Sequence, residues 1–165
     1  MKSTLWLVAA ILAWASWTAR ADDALPYARN LQQDAQQAKS KNGVVLVAFV
    51  GSNCSYCETV LNEFLVPMNR NPDYQGKLVM RRVETTSFLN VRDFSGQQAS
   101  HRDFAGQNGV RMVPTVMLFD TKGRILAKPL VGLTTVDYYG LYLDEAIDKA
   151  VAKVRRLMSG DAQGT

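Results

Sequence analysis

The chain is poor in the residues that build metal centres and disulfide scaffolds. Its 165 residues include two cysteines, Cys54 and Cys57, and one histidine, His101. Two cysteines are too few for a disulfide-stapled scaffold or for a four-cysteine zinc site. A single histidine also removes most schemes of metal catalysis. We therefore expect no bound metal and no other cofactor.

The chain also lacks a strong excess of charge. The formal net charge is +4, and removing Lys2 and Arg20 with an N-terminal leader leaves 17 basic and 15 acidic residues, a net charge of +2. This balance gives no electrostatic reason to expect a nucleic-acid partner. Apolar residues make up 47% of the chain, which excludes disorder throughout and predicts a single domain with a buried core.

The first 21 residues have the three parts of a secretory signal peptide. Lys2 provides the charged start, residues 5–17 form an apolar run broken only by Ser16, and Ala19-Arg20-Ala21 supplies small residues for cleavage. We therefore predict a cleaved signal peptide at residues 1–21 and one domain at residues 22–165.

The apolar run is short for a permanent anchor, because a membrane span needs roughly 20 apolar residues. An uncleaved anchor is the alternative, but we expect no stable membrane insertion. The signal peptide predicts export to an oxidising space outside the cytoplasm. We expect the bacterial periplasm.

The hydrophobic pattern predicts an α/β domain. Val44–Val50 is a continuous apolar run, typical of a strand that helices cover on both faces. Further strands are predicted at residues 78–83, Thr115–Phe119 and 125–131. Helices are predicted at residues 25–41, from about residue 54 with an end or a kink at Val66-Pro67, from a capping box at Ser100 to Asn108-Gly109, and at residues 135–157.

Cys54-Ser55-Tyr56-Cys57 lies at the predicted junction between the buried strand and a helix. Residues three apart are neighbours on a helix surface, so the two sulfurs can form a bond within one turn. Cys54 is at the helix N-terminus, where free amides and the helix dipole favour a thiolate, and we expect it to be the nucleophile. Cys57 lies on the apolar face, and we expect it to resolve mixed disulfides formed on Cys54.

Other roles for a Cys-X-X-Cys pair are less well supported. Metal binding needs two further good ligands, and only His101 is available. Glu58 follows Cys57, whereas covalent haem attachment needs a histidine there. An inert structural disulfide remains open, although a strand-to-helix junction in an α/β pattern favours a redox pair.

Val113-Pro114-Thr115 directly precedes a predicted strand. Proline cannot donate a ladder hydrogen bond, so it belongs at a strand start. Pro114 is either an ordinary trans proline or a cis proline beside the dithiol. A cis proline there would leave the neighbouring backbone free to pair with an extended substrate segment.

These motifs and their order resemble the thioredoxin family over most of residues 30–155. The similarity includes the Cys-X-X-Cys helix, residues 104–120 with Val113-Pro114, the turn Lys122-Gly123-Arg124 and a glycine at position 132. The resemblance implies an α/β thioredoxin fold, with a central mixed sheet flanked by helices and an extra N-terminal helix. It also implies thiol–disulfide exchange on protein substrates, with Pro114 as the cis proline.

Several positions differ from the usual thioredoxin pattern. Ser55-Tyr56 replaces Gly-Pro between the cysteines. A tyrosine directly before the second cysteine resembles the motif of periplasmic disulfide isomerases and glutaredoxins. Asn53 replaces the tryptophan before the first cysteine, and Met112 replaces the glycine before Val-Pro. Ala48 replaces the buried acid that helps to deprotonate the resolving thiol.

We expect an exported thiol–disulfide oxidoreductase that reduces selected periplasmic proteins and receives electrons from a membrane donor. Its substrate contacts are expected at Ser55, Tyr56, Met112 and Val113. Residues 51–60 contain no Lys, Arg or His, which favours a reducing dithiol, because strong oxidants stabilise the nucleophile's thiolate. The alternatives are a disulfide oxidase or isomerase of the same fold, or a redox-sensing or copper-handling binding module.

Overall fold

The structure is a computed structural model that describes residues 24–133 and 135–161. The predicted leader, residues 1–21, lies outside the described residues. The helices are α1 (Leu31–Ser40), α2 (Ser55–Thr59), α3 (Val66–Arg70), α4 (Pro72–Gln75), α5 (His101–Gln107) and α6 (Val136–Asp161). The strands are β1 (Val44–Val50), β2 (Leu78–Glu84), β3 (Asn90–Arg92), β4 (Gln98–Ser100), β5 (Thr115–Phe119) and β6 (Leu130–Val131). A π-helical segment, Val60–Leu65, joins α2 to α3.

A four-stranded mixed sheet in the order β2-β1-β5-β6 forms the centre of the domain. β1 runs parallel to β2 and antiparallel to β5, and β6 runs antiparallel to β5. All seven residues of β1 are buried, because side chains of α6 and the cysteine helix cover one face, and those of α1 and α5 cover the other. The predicted α/β class and the mixed sheet flanked by helices are confirmed.

Both hydrophobic clusters consist of residues between Leu25 and Val154. These clusters form the core of the part of the chain that the structure describes. Among residues 24–133 and 135–161, no helix has the length and apolar character needed to cross a membrane.

The first helix is shorter than the predicted 25–41. α1 begins after Asn30, whose side chain accepts a hydrogen bond from the N–H of Gln33 in the usual N-cap manner. The residues before it are extended along β2, where Arg82 N–H donates to Pro26 O and Ala28 N–H donates to Arg82 O. The free edge of β2 needs backbone partners, and an extended segment supplies them where a helix would not.

The sequence predicts that the cysteine helix ends or kinks at Val66-Pro67. The helix continues past these residues, with a π-helical segment directly before them. The N–H of Val66 donates to the carbonyl of Leu61, five residues back, in the π-helical segment. In a regular α-helix the ring of Pro67 would clash with the carbonyl four residues earlier. The wider π turn removes this conflict, and the helix reaches Arg70.

A short hairpin, β3–β4, lies between β2 and α5, where the sequence predicts neither a strand nor a helix. Its turn is built by Asp93, whose carboxylate accepts hydrogen bonds from the N–H groups of Ser95 and Gln97. The predicted capping box is confirmed, since Ser100 Oγ accepts a hydrogen bond from the N–H of Asp103 at the start of α5.

The last strand is much shorter than the predicted 125–131. β6 is Leu130–Val131, and upstream of it only an isolated bridge joins Ile125 to Phe119. Pro129, which has no N–H to donate, directly precedes the strand.

The helical spacing of six apolar residues predicts a buried stripe on the final helix, α6: Val136, Tyr139, Leu143, Ile147, Val151 and Val154. Five of them are buried: Tyr139, Leu143, Ile147, Val151 and Val154. Val136 is 47% exposed instead, because the helix first meets the core at Tyr139, whose ring lies 5.1 Å from that of Phe64.

Candidate active site

The Cys-X-X-Cys motif lies at the carboxyl end of the central strand β1. The chain leaves β1 at Val50, passes through residues 51–53 and enters α2, for which Cys54 is the N-cap. Asn53 has a left-handed φ of 54°, a conformation that asparagine tolerates better than most residues. A sharp turn at Asn53 thus delivers Cys54 to the helix N-terminus.

Cys54 and Cys57 form a disulfide with an S–S distance of 2.12 Å. Cys57 is 2% exposed, whereas Cys54 is half-buried. The N–H of Cys57 donates a hydrogen bond to Cys54 Sγ over 3.2 Å. Cys54 therefore carries the sulfur that a partner can reach, and the amide is placed to stabilise its thiolate after reduction. The roles of nucleophile and resolving thiol stay predictions.

The Val113–Pro114 segment lies beside the loop that precedes Cys54. The Val113–Pro114 peptide bond is cis, and Pro114 is buried. A Cβ atom at Gly51 would lie 3.1 Å from Val113 Cγ2 and 4.0 Å from Cys54 Cβ. Glycine at position 51 thus allows Val113 to approach the active-site loop.

Two hydrogen bonds hold this segment in place. Gly132 N–H donates to Pro114 O over 2.7 Å, and Thr115 Oγ1 donates to Met112 O over 2.8 Å. The first bond ties the proline to the residue after β6, and the second closes the turn that leads into β5. The backbone beside the disulfide is therefore fixed from two sides.

The residues predicted to contact the substrate lie within two positions of Cys54 or directly before Pro114, and three of the four are exposed. Tyr56 is 63% exposed and Met112 is 61% exposed. Ser55 is also exposed, and Val113 is half-buried. Large apolar side chains left in solvent beside a reactive sulfur are typical of a protein-binding surface. Substrate contact at these four positions stays a prediction.

Sequence reasoning missed Glu84, which holds the loop before Cys54. Ser52 Oγ donates a hydrogen bond of 2.5 Å to Glu84 Oε1 and lies 3.3 Å from Thr86 Oγ1. The one feature of the sequence that could have identified Glu84 is its position at the end of β2, the parallel neighbour of β1. Its carboxylate adds negative charge close to a loop that has no cation of its own.

Among residues 24–133 and 135–161, no buried carboxylate takes the place of the acid that is missing at Ala48. Ala48 is 1% exposed in the middle of β1. The buried carboxylates of the described residues are Asp34 and Asp120, and each is engaged elsewhere: Asp34 accepts hydrogen bonds from Arg81, and Asp120 from Arg124. Tyr139 belongs to the same core cluster as Cys57, but burial raises the pKa of its phenol to about 12, so it stays protonated.

His101 is fully buried, whereas the sequence predicts that it caps a helix or lies on a helix surface. Its Nδ1 accepts a hydrogen bond from the N–H of Glu84 over 3.1 Å, and its Nε2 donates to Ala28 O over 2.8 Å. The last residue of β2 needs an acceptor for its N–H, which is why the imidazole faces inward. Burial lowers the pKa of His101, and the neutral ring joins the N-terminal segment to β2.

The sequence favours packing along the helix, and not a ligand site, for Tyr138, Tyr139 and Tyr142 of α6, but only one of these three residues is buried. Tyr139 is buried, whereas Tyr138 is 56% and Tyr142 is 47% exposed. No set of three or more His, Cys, Asp or Glu side chains in the described part of the chain is arranged to hold a metal ion.

A family model described as a thioredoxin-like domain matches residues 31–147. The search of curated proteins returned no match. Among solved structures, oxidised thioredoxin O2 from Arabidopsis thaliana is 12% identical, with a TM-score of 0.49, over 76% of this chain and 96% of that one.

Two further solved structures are similar at the same level. Thioredoxin from Malassezia sympodialis is 18% identical with a TM-score of 0.46, over 78% of this chain and 94% of its own. Oxidised mitochondrial thioredoxin 3 from Saccharomyces cerevisiae is 15% identical with a TM-score of 0.48, over 75% of this chain and 93% of its own.

The family assignment rests on the match to residues 31–147, which is well over half of the chain. Within that range lie the mixed sheet, the flanking helices and the Cys54–Cys57 disulfide. Members of the family exchange thiols and disulfides with protein substrates. The chain thus belongs to the thioredoxin-like family and is a thiol–disulfide oxidoreductase.

Proposed function

We propose that this oxidoreductase is exported to the periplasm and reduces disulfides in selected proteins there. One observation carries the direction of the reaction: the loop before Cys54 has no cation, and Glu84 is hydrogen-bonded to it through Ser52. A dithiol becomes strongly oxidising when its thiolate form is stabilised, chiefly by nearby positive charge. Negative charge at this loop opposes the thiolate and favours a reductant.

The reaction begins with the reduced dithiol. The thiolate of Cys54 attacks one sulfur of a substrate disulfide, the substrate S–S bond breaks, and the leaving sulfur takes a proton from solvent. Cys57 then loses its proton and attacks Cys54, which releases the second substrate thiol. Two electrons pass to the substrate, and the Cys54–Cys57 disulfide is left.

A return of two electrons and two protons must complete the cycle. In an oxidising compartment a reducing dithiol would otherwise stay as the disulfide. We therefore include a membrane electron donor among the partners, since a membrane protein can carry electrons to the exported domain. The reactive group of this donor is a dithiol with a lower reduction potential than the Cys54–Cys57 pair.

The export step rests on the leader. Residues 5–17 and Ala19-Arg20-Ala21 have the pattern of a cleaved signal peptide. Its removal leaves a chain that begins at Asp22, two residues before the first described residue.

A glutathione redox titration tests the direction. We expect a reduction potential nearer that of thioredoxin, about −270 mV, than that of the strong periplasmic oxidant, about −120 mV. An insulin-reduction assay should show turnover with a chemical dithiol as the donor. A potential above about −150 mV would overturn the reductase and favour an oxidase or isomerase.

A further inference from the structure

The two ends of the central strand β1 lie far apart. β1 begins at Val44 and ends at Val50, shortly before Cys54, so its ends are about 20 Å apart. Val45 pairs with Phe119, the last residue of β5. The turn that follows β5 therefore lies at the end of the sheet far from the disulfide.

A groove at this far end combines cations with apolar side chains. Its lining includes Lys39 from α1, Lys122 and Arg124 from the turn after β5, and Leu157 and Met158 from α6. Leu157 is 47% exposed and Met158 is 39% exposed. Three elements that are distant in sequence thus contribute to one basic and partly apolar surface.

Asp120, the acidic residue among those that line this groove, is already hydrogen-bonded within the turn after β5. Asp120 is 5% exposed, and its Oδ2 accepts a hydrogen bond of 2.6 Å from Arg124 Nε. Its Oδ1 accepts hydrogen bonds from the N–H groups of Lys122 and Arg124. Asp120 therefore offsets the charge of Arg124, while Lys39 and Lys122 are exposed to solvent.

A second groove extends the basic surface. It is lined by Asn42, Arg155, Met158 and Ser159. Met158 lines both grooves, so they adjoin. We call the surface formed by Lys39, Lys122, Arg155, Leu157 and Met158 the basic end.

The chain also enters the domain from this end. Tyr27 forms a parallel bridge with Arg82, so the residues before Tyr27 lie on the side of Leu78, where β2 begins. Leu78 pairs with Val44, the first residue of β1. Residue 24 is thus on the same side of the sheet as the basic end.

We propose that the basic end docks on an anionic lipid bilayer, with Cys54 turned away from it. Lysine and arginine near an anionic membrane each strengthen binding by about fivefold, and exposed apolar side chains such as Leu157 can enter the interface. These apolar side chains favour a bilayer over a nucleic acid, whose backbone offers mainly phosphates. Docking would place the oxidoreductase beside membrane proteins while its disulfide stays accessible.

Co-sedimentation with lipid vesicles tests the proposal. The chain from Asp22 is mixed with vesicles of equimolar phosphatidylglycerol and phosphatidylcholine, or of phosphatidylcholine alone. The test variant combines Lys122→Gln with Arg155→Gln. The matched control combines Arg102→Gln with Lys128→Gln, which removes two exposed cations elsewhere. Circular dichroism verifies that each variant is folded.

We expect the test variant to bind anionic vesicles about 25-fold more weakly and the control to bind nearly as well as the parent. Binding should weaken as salt is added and be absent on phosphatidylcholine alone. The proposal is overturned by equal losses in both variants, by no binding to anionic vesicles, or by tighter binding to an oligonucleotide than to vesicles. None of these results alters the oxidoreductase chemistry, which insulin reduction measures separately.

Discussion

At the scale of single residues, the two cysteines differ in how far a partner can reach their sulfurs. Cys57 is 2% exposed, and Cys54 is half-buried at the helix N-terminus. Thiol exchange needs direct contact between sulfurs, so Cys54, the more exposed of the two, should form mixed disulfides with substrates.

We therefore expect Cys57→Ser to accumulate mixed disulfides, because the nucleophile remains and the step that releases the substrate is lost. Cys54→Ser should trap far fewer partners. Non-reducing gels of both variants, expressed in the native compartment, measure the difference. Equal trapping by the two variants would contradict the assignment of Cys54 as the nucleophile.

Glu84 is an acidic residue of β2 that a hydrogen bond with Ser52 holds next to the active-site loop. Glu84→Gln keeps a hydrogen-bond acceptor for Ser52 and removes the negative charge. We expect the reduction potential to rise by roughly 20 mV, since a partly exposed charge is screened by solvent. Ser52→Ala is the control for loss of the hydrogen bond alone. An unchanged potential in Glu84→Gln would show that this carboxylate does not tune the dithiol.

His101 should make the stability of the domain depend on pH. Burial lowers its pKa in the folded protein below the ordinary value of 6.5, although the bond to Ala28 O opposes the shift. Below that ordinary value the unfolded chain therefore binds a proton that the folded chain does not, and the free energy of unfolding falls as pH falls. The charged groups that act on the ring are Arg29 and Glu84.

The expected slope from this residue is at most about 1.4 kcal/mol per pH unit. Urea unfolding at several pH values below 6.5 measures it. The variant His101→Gln can still accept and donate hydrogen bonds but does not titrate, so its slope should be smaller. An identical slope in both proteins would assign the pH dependence to the carboxylates.

At the scale of elements, substitutions at two glycines distinguish the effect of close packing on stability from the effect of helix propensity. Gly43 connects α1 to β1, and a Cβ atom there would lie 2.3 Å from Lys77 O, a backbone atom that cannot rotate away. Gly106 lies in α5, and a Cβ atom there would have nothing within 4 Å.

Gly43→Ala should lower the free energy of unfolding by about 2 kcal/mol or more, because the junction before β2 must move. Gly106→Ala should raise it by roughly 0.5 to 1 kcal/mol, since alanine is the better helix former. Chemical denaturation of both variants measures the two shifts. If they change stability in the same direction, the close approach at Gly43 is not what constrains that junction.

At the scale of the whole molecule, the predicted export determines the mature form. We expect the protein in its native compartment to begin at Asp22, because Ala19-Arg20-Ala21 follows the apolar run. Intact-mass analysis measures this directly. A species that keeps residues 1–21 would contradict cleavage and favour an anchor.

The sequence alone determined the fold class and the position of the disulfide. Both depend on short patterns, since a continuous apolar strand and two cysteines one helical turn apart are read from neighbouring residues. The same holds for Ser100 and Asp103, whose capping contact is local. Patterns of this range remain valid wherever the element lies in the molecule.

Only the tertiary structure decided the surroundings of the site. Glu84 meets Ser52 because β2 ends beside β1, and His101 is buried because α5 packs against the edge of β2 that Ala28 also meets. The late start of the first helix has the same origin, since the residues before Asn30 form backbone hydrogen bonds with that edge. These contacts join residues 17 to 73 positions apart, and hydrophobic periodicity carries no information on which backbone groups will need a partner after folding.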